Sequence, residues 1–212
     1  SKHHEYVISE DAFFSSIPEV IYNIESYDTT TVRASVGNYL IAKYISNNSD
    51  AKVIFNGDGS DELTGGYLYM NYAKNCIEFD KECRRLLTNI HKYDVLRSDK
   101  SISSNGLEPR TPFLDKSFVQ FYLSIPPNIR FRKQIEYNKY ISTYNNIEKY
   151  LLRMAFSKEL TDINYLPESI LWRTKEAFSD GVSTYKNSLF EIIQAFVETL
   201  YTDEDLQNAE KK

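Results

Sequence analysis

Apolar residues recur along most of this chain at helical spacing. Phe13, Ile17, Ile21 and Ile24 fall on one face of a predicted helix, with Ser9 placed to cap it and Pro18 expected to kink or restart it. A second helix is predicted after Asp28 and Thr29, with Val32, Val36, Tyr39 and Leu40 turned inward. "NNSDAK" breaks that helix before a buried strand over 52–56, around Val53, Ile54 and Phe55. Asp61 then opens a helix through "ELTGGYLYMNYAK", interrupted or tightly packed at Gly65 and Gly66. Phe79, Cys83, Leu86, Leu87 and Ile90 form a further apolar stripe, and short helices are predicted from Asp115 to Leu123 and from Glu148 to Phe156. Between them, "SISSNGLEPRTPFLD" reads as a loop, with Pro109 and Pro112 excluding a regular helix. Residues 4–8 are expected to form a short strand, and the weakly periodic segment 130–147 is expected to be mobile. One or two strands among some seven helices leave those strands short of partners, so the missing neighbours are expected upstream.

Composition narrows the classes. The 212 residues are 42% hydrophobic and rich in Tyr (17) and Phe (12), enough for a globular core and not for a disordered chain. A net charge of −5 argues against a nucleic-acid binder, which normally shows a basic face. Cys76 and Cys83 make no disulfide framework and, with three scattered histidines, match no zinc pattern, so both are expected as free thiols in a reducing cytoplasm. No apolar run approaches the ~20 residues that span a bilayer. The chain opens without an initiator Met and closes in a charged helical pattern, which suggests a piece of a longer protein.

The candidate chemistry sits in "VIFNGDGSDELTGGYLYM", a strand followed by four glycines interleaved with Asp58, Asp61 and Glu62. A phosphate-cradling P-loop needs Lys after its last glycine, and Gly66 is followed by Tyr67. An EF-hand counted from Asn56 would need Gly and Glu where Asp61 and Tyr67 stand. As bare chemistry, the acids could simply favour a helix N-terminus electrostatically.

The wording of the loop changes that balance. "NGDGSDELTGGYLYM" resembles the "SGEGSDE…GGYLYF" segment of asparagine synthetases. In the same order, "HHEYVISEDAF…IYNIESYDTTTVRAS", "KYDVLRSDKSISSNGLEPRTPFLDKSF…SIPP" and "IEKYLLR…LPESILWRTKEAFSDGV" resemble further segments of that family. Together they cover nearly all of residues 3–185. The chain is therefore identified as resembling the C-terminal synthetase domain of the glutamine-hydrolysing enzymes.

That resemblance implies an α/β, helix-rich fold: the rear part of an adenine nucleotide α-hydrolase-like (ATP-pyrophosphatase) domain, its parallel sheet completed by upstream strands. It implies aspartate, ATP and Mg2+ as reactants and cofactor, with the β-carboxylate attacking the α-phosphorus and ammonia from a glutaminase domain displacing AMP. Asn56 and Gly57 match residues whose main chain lies against the nucleotide; Asp58 matches a Glu used in forming the acyl-adenylate, one methylene longer. Thr30 and Arg33 match residues that stabilise pentavalent phosphorus, and Lys175 one that contacts pyrophosphate. Asp61, Glu62, Asp94 and Arg97 match groups lining the substrate and metal side, although Asp94 and Arg97, at i and i+3, also suit a plain ion pair. Glu108 and Arg110 read as structural.

Two family elements are missing from residues 1–212: an N-terminal Cys nucleophile and an S-G-G-x-D-S pyrophosphate loop. The whole chain is thus expected to be a partial synthetase domain, inactive alone. A β-lactam-forming synthetase and a non-catalytic truncated homologue acting as an interaction module are the alternatives. No nucleic-acid or membrane partner is expected, and a homodimer is compatible with the resemblance.

Overall fold

The computed structural model describes residues 3–131, 147–173, 175, 189–202, 204–205 and 208. The chain folds as two compact units, one of residues 1–41 with 176–212 and one of residues 42–175.

In the first unit, helix α1 (Glu10–Ile24) starts at Ser9, whose hydroxyl accepts a hydrogen bond from the Ala12 amide and satisfies one of the orphan donors of the first turn. The helix runs through Pro18 without restarting and ends at Glu25 in the left-handed region, φ 55°. Helix α2 (Thr29–Asn48) follows; the Asp28 carboxylate accepts from the Thr31 amide at 2.8 Å. The expected inner face is the observed one. Val32, Val36, Tyr39 and Leu40 are buried with Phe13, Phe14, Val20 and Ile24 in a single cluster. Phe196, on helix α11 (Leu189–Leu200), stacks on Phe14 with ring centroids 4.8 Å apart. The strand expected over 4–8 does not form: residues 3–9 carry no regular structure, and no strand lies alongside to take their backbone hydrogen bonds among the described residues.

The second unit opens on the rest of α2 and the strand β1 (Val53–Phe55), which pairs in parallel with β2 (Glu108–Arg110). β2 replaces the irregular loop expected there. Pro109 is tolerated because the flanking ladder bonds use its neighbours: Glu108 N donates to Lys52 O at 2.7 Å, and Asn56 N donates to Arg110 O at 3.0 Å. β1 is not buried as expected. Ile54 faces a cluster with Ala42, Ile45, Ile102 and Leu107, while Val53 and Phe55, on the opposite face by strand alternation, are 48% and 78% exposed.

After β1, helix α3 (Ser60–Thr64) is a little over one turn, and the interruption expected at Gly65 and Gly66 ends it instead of letting it continue through Lys74. Gly65 ends it in the left-handed region, φ 71°, against the Phe79 ring, and the chain continues as a 3-10 turn, Leu68–Tyr72. Asn75 caps helix α4 (Cys76–Asn89), accepting from the amides of Ile77 and Glu78, both at 3.0 Å. Phe79 and Cys83 bury the apolar stripe against Met70 and Phe131. Burial pushes the Cys83 thiol up to about 12, so this free cysteine is held as an inert packing group. Helix α5 (Asp94–Ser103) and a turn at Gly106 lead into β2; Asp115 caps helix α6 (Lys116–Ser124), close to the expected bounds.

Helix α7 (Pro127–Arg130) brings Arg130 to Asp80, and helix α8 (Tyr150–Ala155) stands near its expected place. α9 (Lys158–Thr161) and α10 (Glu168–Leu171) are single turns. The weakly periodic stretch 130–147 lies mostly outside the described residues. Among the described residues no helix is long and apolar enough to cross a membrane.

Candidate active site

The loop after β1 is anchored by the sheet and by α5. Asn56, tied to β2 through its amide, donates through Nδ2 to Ser98 Oγ at 3.2 Å and accepts the Asp58 amide at Oδ1, also at 3.2 Å. This side-chain turn holds Gly57 outward. Gly57 is exposed, its φ is not in the left-handed region, and a Cβ there would meet no described atom within 4 Å. Neither conformation nor internal packing requires a glycine, so the open main chain is available to a ligand.

Asp58 is half-buried and its Oδ2 has no hydrogen-bond partner among the described residues. Burial raises its carboxyl above the usual range; Ser98, Arg97 and Asn56 pull the other way, and Asp94 adds to the rise. Glu62, 4% exposed on α3, is also raised, first by burial and then by the charges of Asp94 and Asp61, against a hydrogen bond donated by the Tyr67 hydroxyl. Tyr67 is pushed up by the same burial and by Glu62. On α5, Arg97 pairs with Asp94, the i,i+3 contact that the sequence spacing anticipates.

Asp61 is held differently. Its Oδ1 lies 2.9 Å from Lys149 Nζ and its Oδ2 3.1 Å from Lys175 Nζ. Lys149 also donates to Ser60 Oγ at 3.2 Å, and the Lys175 ammonium sits 5.5 Å from the centre of the Tyr67 ring. Gly66 is required here on steric grounds: a Cβ would collide with Asp61 Oδ1 and crowd Lys149 Cε.

The second unit therefore brings together Asn56, Gly57, Asp58, Asp61, Glu62, Asp94, Arg97 and Lys175. Thr30 and Arg33 lie on the opening turns of α2 in the first unit: Thr30 is exposed, and Arg33 Nε is buried without a hydrogen-bond partner among the described residues. Glu108 and Arg110 form an exposed ion pair at 2.7 Å on β2, in keeping with a structural role. Sequence reasoning passed over three members of the cluster: Lys149, Tyr67 and Ser98. Lys149 lies inside a quoted family segment, but a single lysine there carries no local signal. Ser98 follows Arg97 in the helix that also carries Asp94.

The sequence profile of the asparagine synthase family matches residues 1–78 and 74–211, nearly the whole chain. The chain belongs to the asparagine synthase family. It is 47% identical over its full 212 residues to the asparagine synthetase (glutamine-hydrolyzing) of Mus musculus, 46% to that of Homo sapiens and 45% to that of Gallus gallus. In each case it spans 35% of the relative's length. The helix-rich structure with its small parallel sheet groups the candidate residues on the loop after β1, on α3 and on α5, with Lys175 beyond α10.

Proposed function

We propose that this chain is the rear part of the synthetase domain of a glutamine-dependent asparagine synthetase, a carbon–nitrogen ligase. In this reading the fold is that of an adenine nucleotide α-hydrolase whose parallel sheet continues beyond β1. Aspartate attacks the α-phosphorus of ATP through its β-carboxylate, forming β-aspartyl-AMP and pyrophosphate. Glutamine-derived ammonia then displaces AMP to give asparagine. The observation that carries it is the acid loop 56–62, with Arg97 acting on Asp58 and Lys175 paired with Asp61, in a chain of this family.

The roles divide by charge. Asn56 and Gly57 offer main chain to the nucleotide. The partnerless Oδ2 of Asp58 suits an ammonium or a hydrated cation better than a phosphate. Lys175 offers its charge to the leaving pyrophosphate, and Arg33 and Thr30 serve the pentavalent phosphorus, where a planar guanidinium spreads phosphoryl charge. No group of three or more His, Cys, Asp or Glu side chains among the described residues could hold a metal alone. Mg2+ fits here as a companion of the phosphates, with one or two carboxylates completing its shell and the metal supplying charge neutralisation.

The gene product carrying this chain should release pyrophosphate and AMP only with both ATP and aspartate present, and make asparagine when glutamine or ammonia is added. Lys175→Met should lower the aspartate-dependent rate by about 10²-fold or more, as loss of a transition-state charge does. Pyrophosphate release that ignores aspartate, or a Lys175→Met rate equal to wild type, would sink the assignment.

A further inference from the structure

We infer that Lys149 is the counter-ion that allows Lys175 to leave Asp61 for the pyrophosphate end of the substrate. The inference rests on the reading of Lys175 given above and adds a positioning residue to it.

One carboxylate is shared by two ammonium groups, each on its own oxygen, at 2.9 Å for Lys149 and 3.1 Å for Lys175. Side chains of all three residues are only about a fifth exposed. If Lys175 swung to an incoming phosphate and Asp61 had no second partner, a largely buried carboxylate would be stranded, which is costly. Lys149 removes that cost by staying behind.

Three features show that Lys149 is built to stay. Its ammonium has a second anchor in Ser60 Oγ at 3.2 Å. Its backbone stands at φ 55°, a conformation that a non-glycine residue keeps only when its surroundings impose it. Gly66 provides the space into which Asp61 and the Lys149 side chain pack, and a Cβ there would collide with both. Lys149 thus meets Asp61 as an ion pair and places its hydrogen bond on Ser60, whereas Lys175, besides its hydrogen bond to Asp61 Oδ2, has among the described residues only the Tyr67 ring, a soft contact that permits movement.

The test is pyrophosphate affinity in the presence of Mg2+, measured by titration calorimetry on the gene product carrying this chain. Lys149→Met should weaken binding about tenfold, because Lys175 becomes the sole partner of Asp61, and Lys149→Arg should restore most of it. In an Asp61→Asn background the Lys149→Met change should alter affinity less than about twofold, since Lys149 acts through that carboxylate. Equal affinity for Lys149→Met and wild type, or the same loss in both backgrounds, overturns the inference and leaves the proposed function standing. A wild-type protein that binds neither ATP nor pyrophosphate removes the proposed function and this inference with it. Should Lys149→Met fail to fold by circular dichroism, Asp61→Asn alone decides: it must bind pyrophosphate at least as tightly as wild type, and weaker binding overturns the inference.

Discussion

At the scale of single residues, the site is made of groups held in states that folding alone would not choose. Asp58 shows this most directly. Its Oδ2 is buried without a partner among the described residues and burial raises its carboxyl, so the native protein holds the proton at that position more readily than the unfolded chain does. Stability then falls as pH rises from the ordinary aspartate range through the raised value, and stays lower at neutral pH. Asp58→Asn removes that ionisation. The variant should melt roughly 1–4 °C higher than wild type at pH 7. The gain should shrink as pH falls through the raised value toward the ordinary one. On the proposed function, the gene product carrying Asp58→Asn should also lose aspartate-dependent pyrophosphate release, an exchange of function for stability. Thermal melts from pH 4 to 8 check the first part; a variant no more stable than wild type at pH 7 would mean that Oδ2 is solvated after all.

At the scale of elements, local chemistry was largely legible and pairing was not. The periodic faces of α1, α2 and α4 are where Val32, Val36, Tyr39, Leu40, Phe79 and Cys83 indicate, because each depends on spacing within its own helix. β2 escaped because Pro109 argues against a strand; its place is decided by a partner more than fifty residues away in sequence, whose ladder happens not to need the proline amide. The strand expected over 4–8 failed for the converse reason, an apolar pattern with no strand to pair with among the described residues. In the site, the Asp94–Arg97 contact follows from i,i+3 spacing, whereas Asp61 and Lys175 come together across 114 positions and were joined beforehand only through family resemblance. Lys149 had neither aid. Capping is the element-level feature that the sequence makes easiest to test. Asn75 alone satisfies two amides at the start of α4, the helix that carries Phe79 and Cys83. Asn75→Ala should cost about 1 kcal/mol, read as a lower urea midpoint with an unchanged slope. No shift in midpoint would show that water replaces the cap without loss.

At the scale of the whole molecule, the two-stranded sheet leaves an apolar surface that the described residues do not cover. Strand alternation sends Ile54 into a small core and turns Val53 and Phe55 outward, where Phe55 is among the more exposed large hydrophobic side chains in the molecule. Among the described residues β1 has a single strand neighbour, so its other side carries backbone groups without sheet partners beside that exposed phenyl ring. An open strand edge next to an apolar face is a template for association between copies, and a net charge of −5 over 212 residues is modest protection. The 212-residue polypeptide should therefore self-associate in the micromolar range, seen as a concentration-dependent weight-average mass in sedimentation. Val53→Thr combined with Phe55→Lys should return it toward the monomer mass while changing stability by less than about 0.5 kcal/mol, since Phe55 is largely and Val53 about half in water. The partly buried neighbour provides the control: Ile54→Thr should destabilise without improving solubility, because it strikes the packing against Ile102 and Leu107. If the double variant associates as strongly as wild type, the outward face of β1 is not the adhesive surface. If wild type stays monomeric throughout, the strand edge is protected despite its exposure.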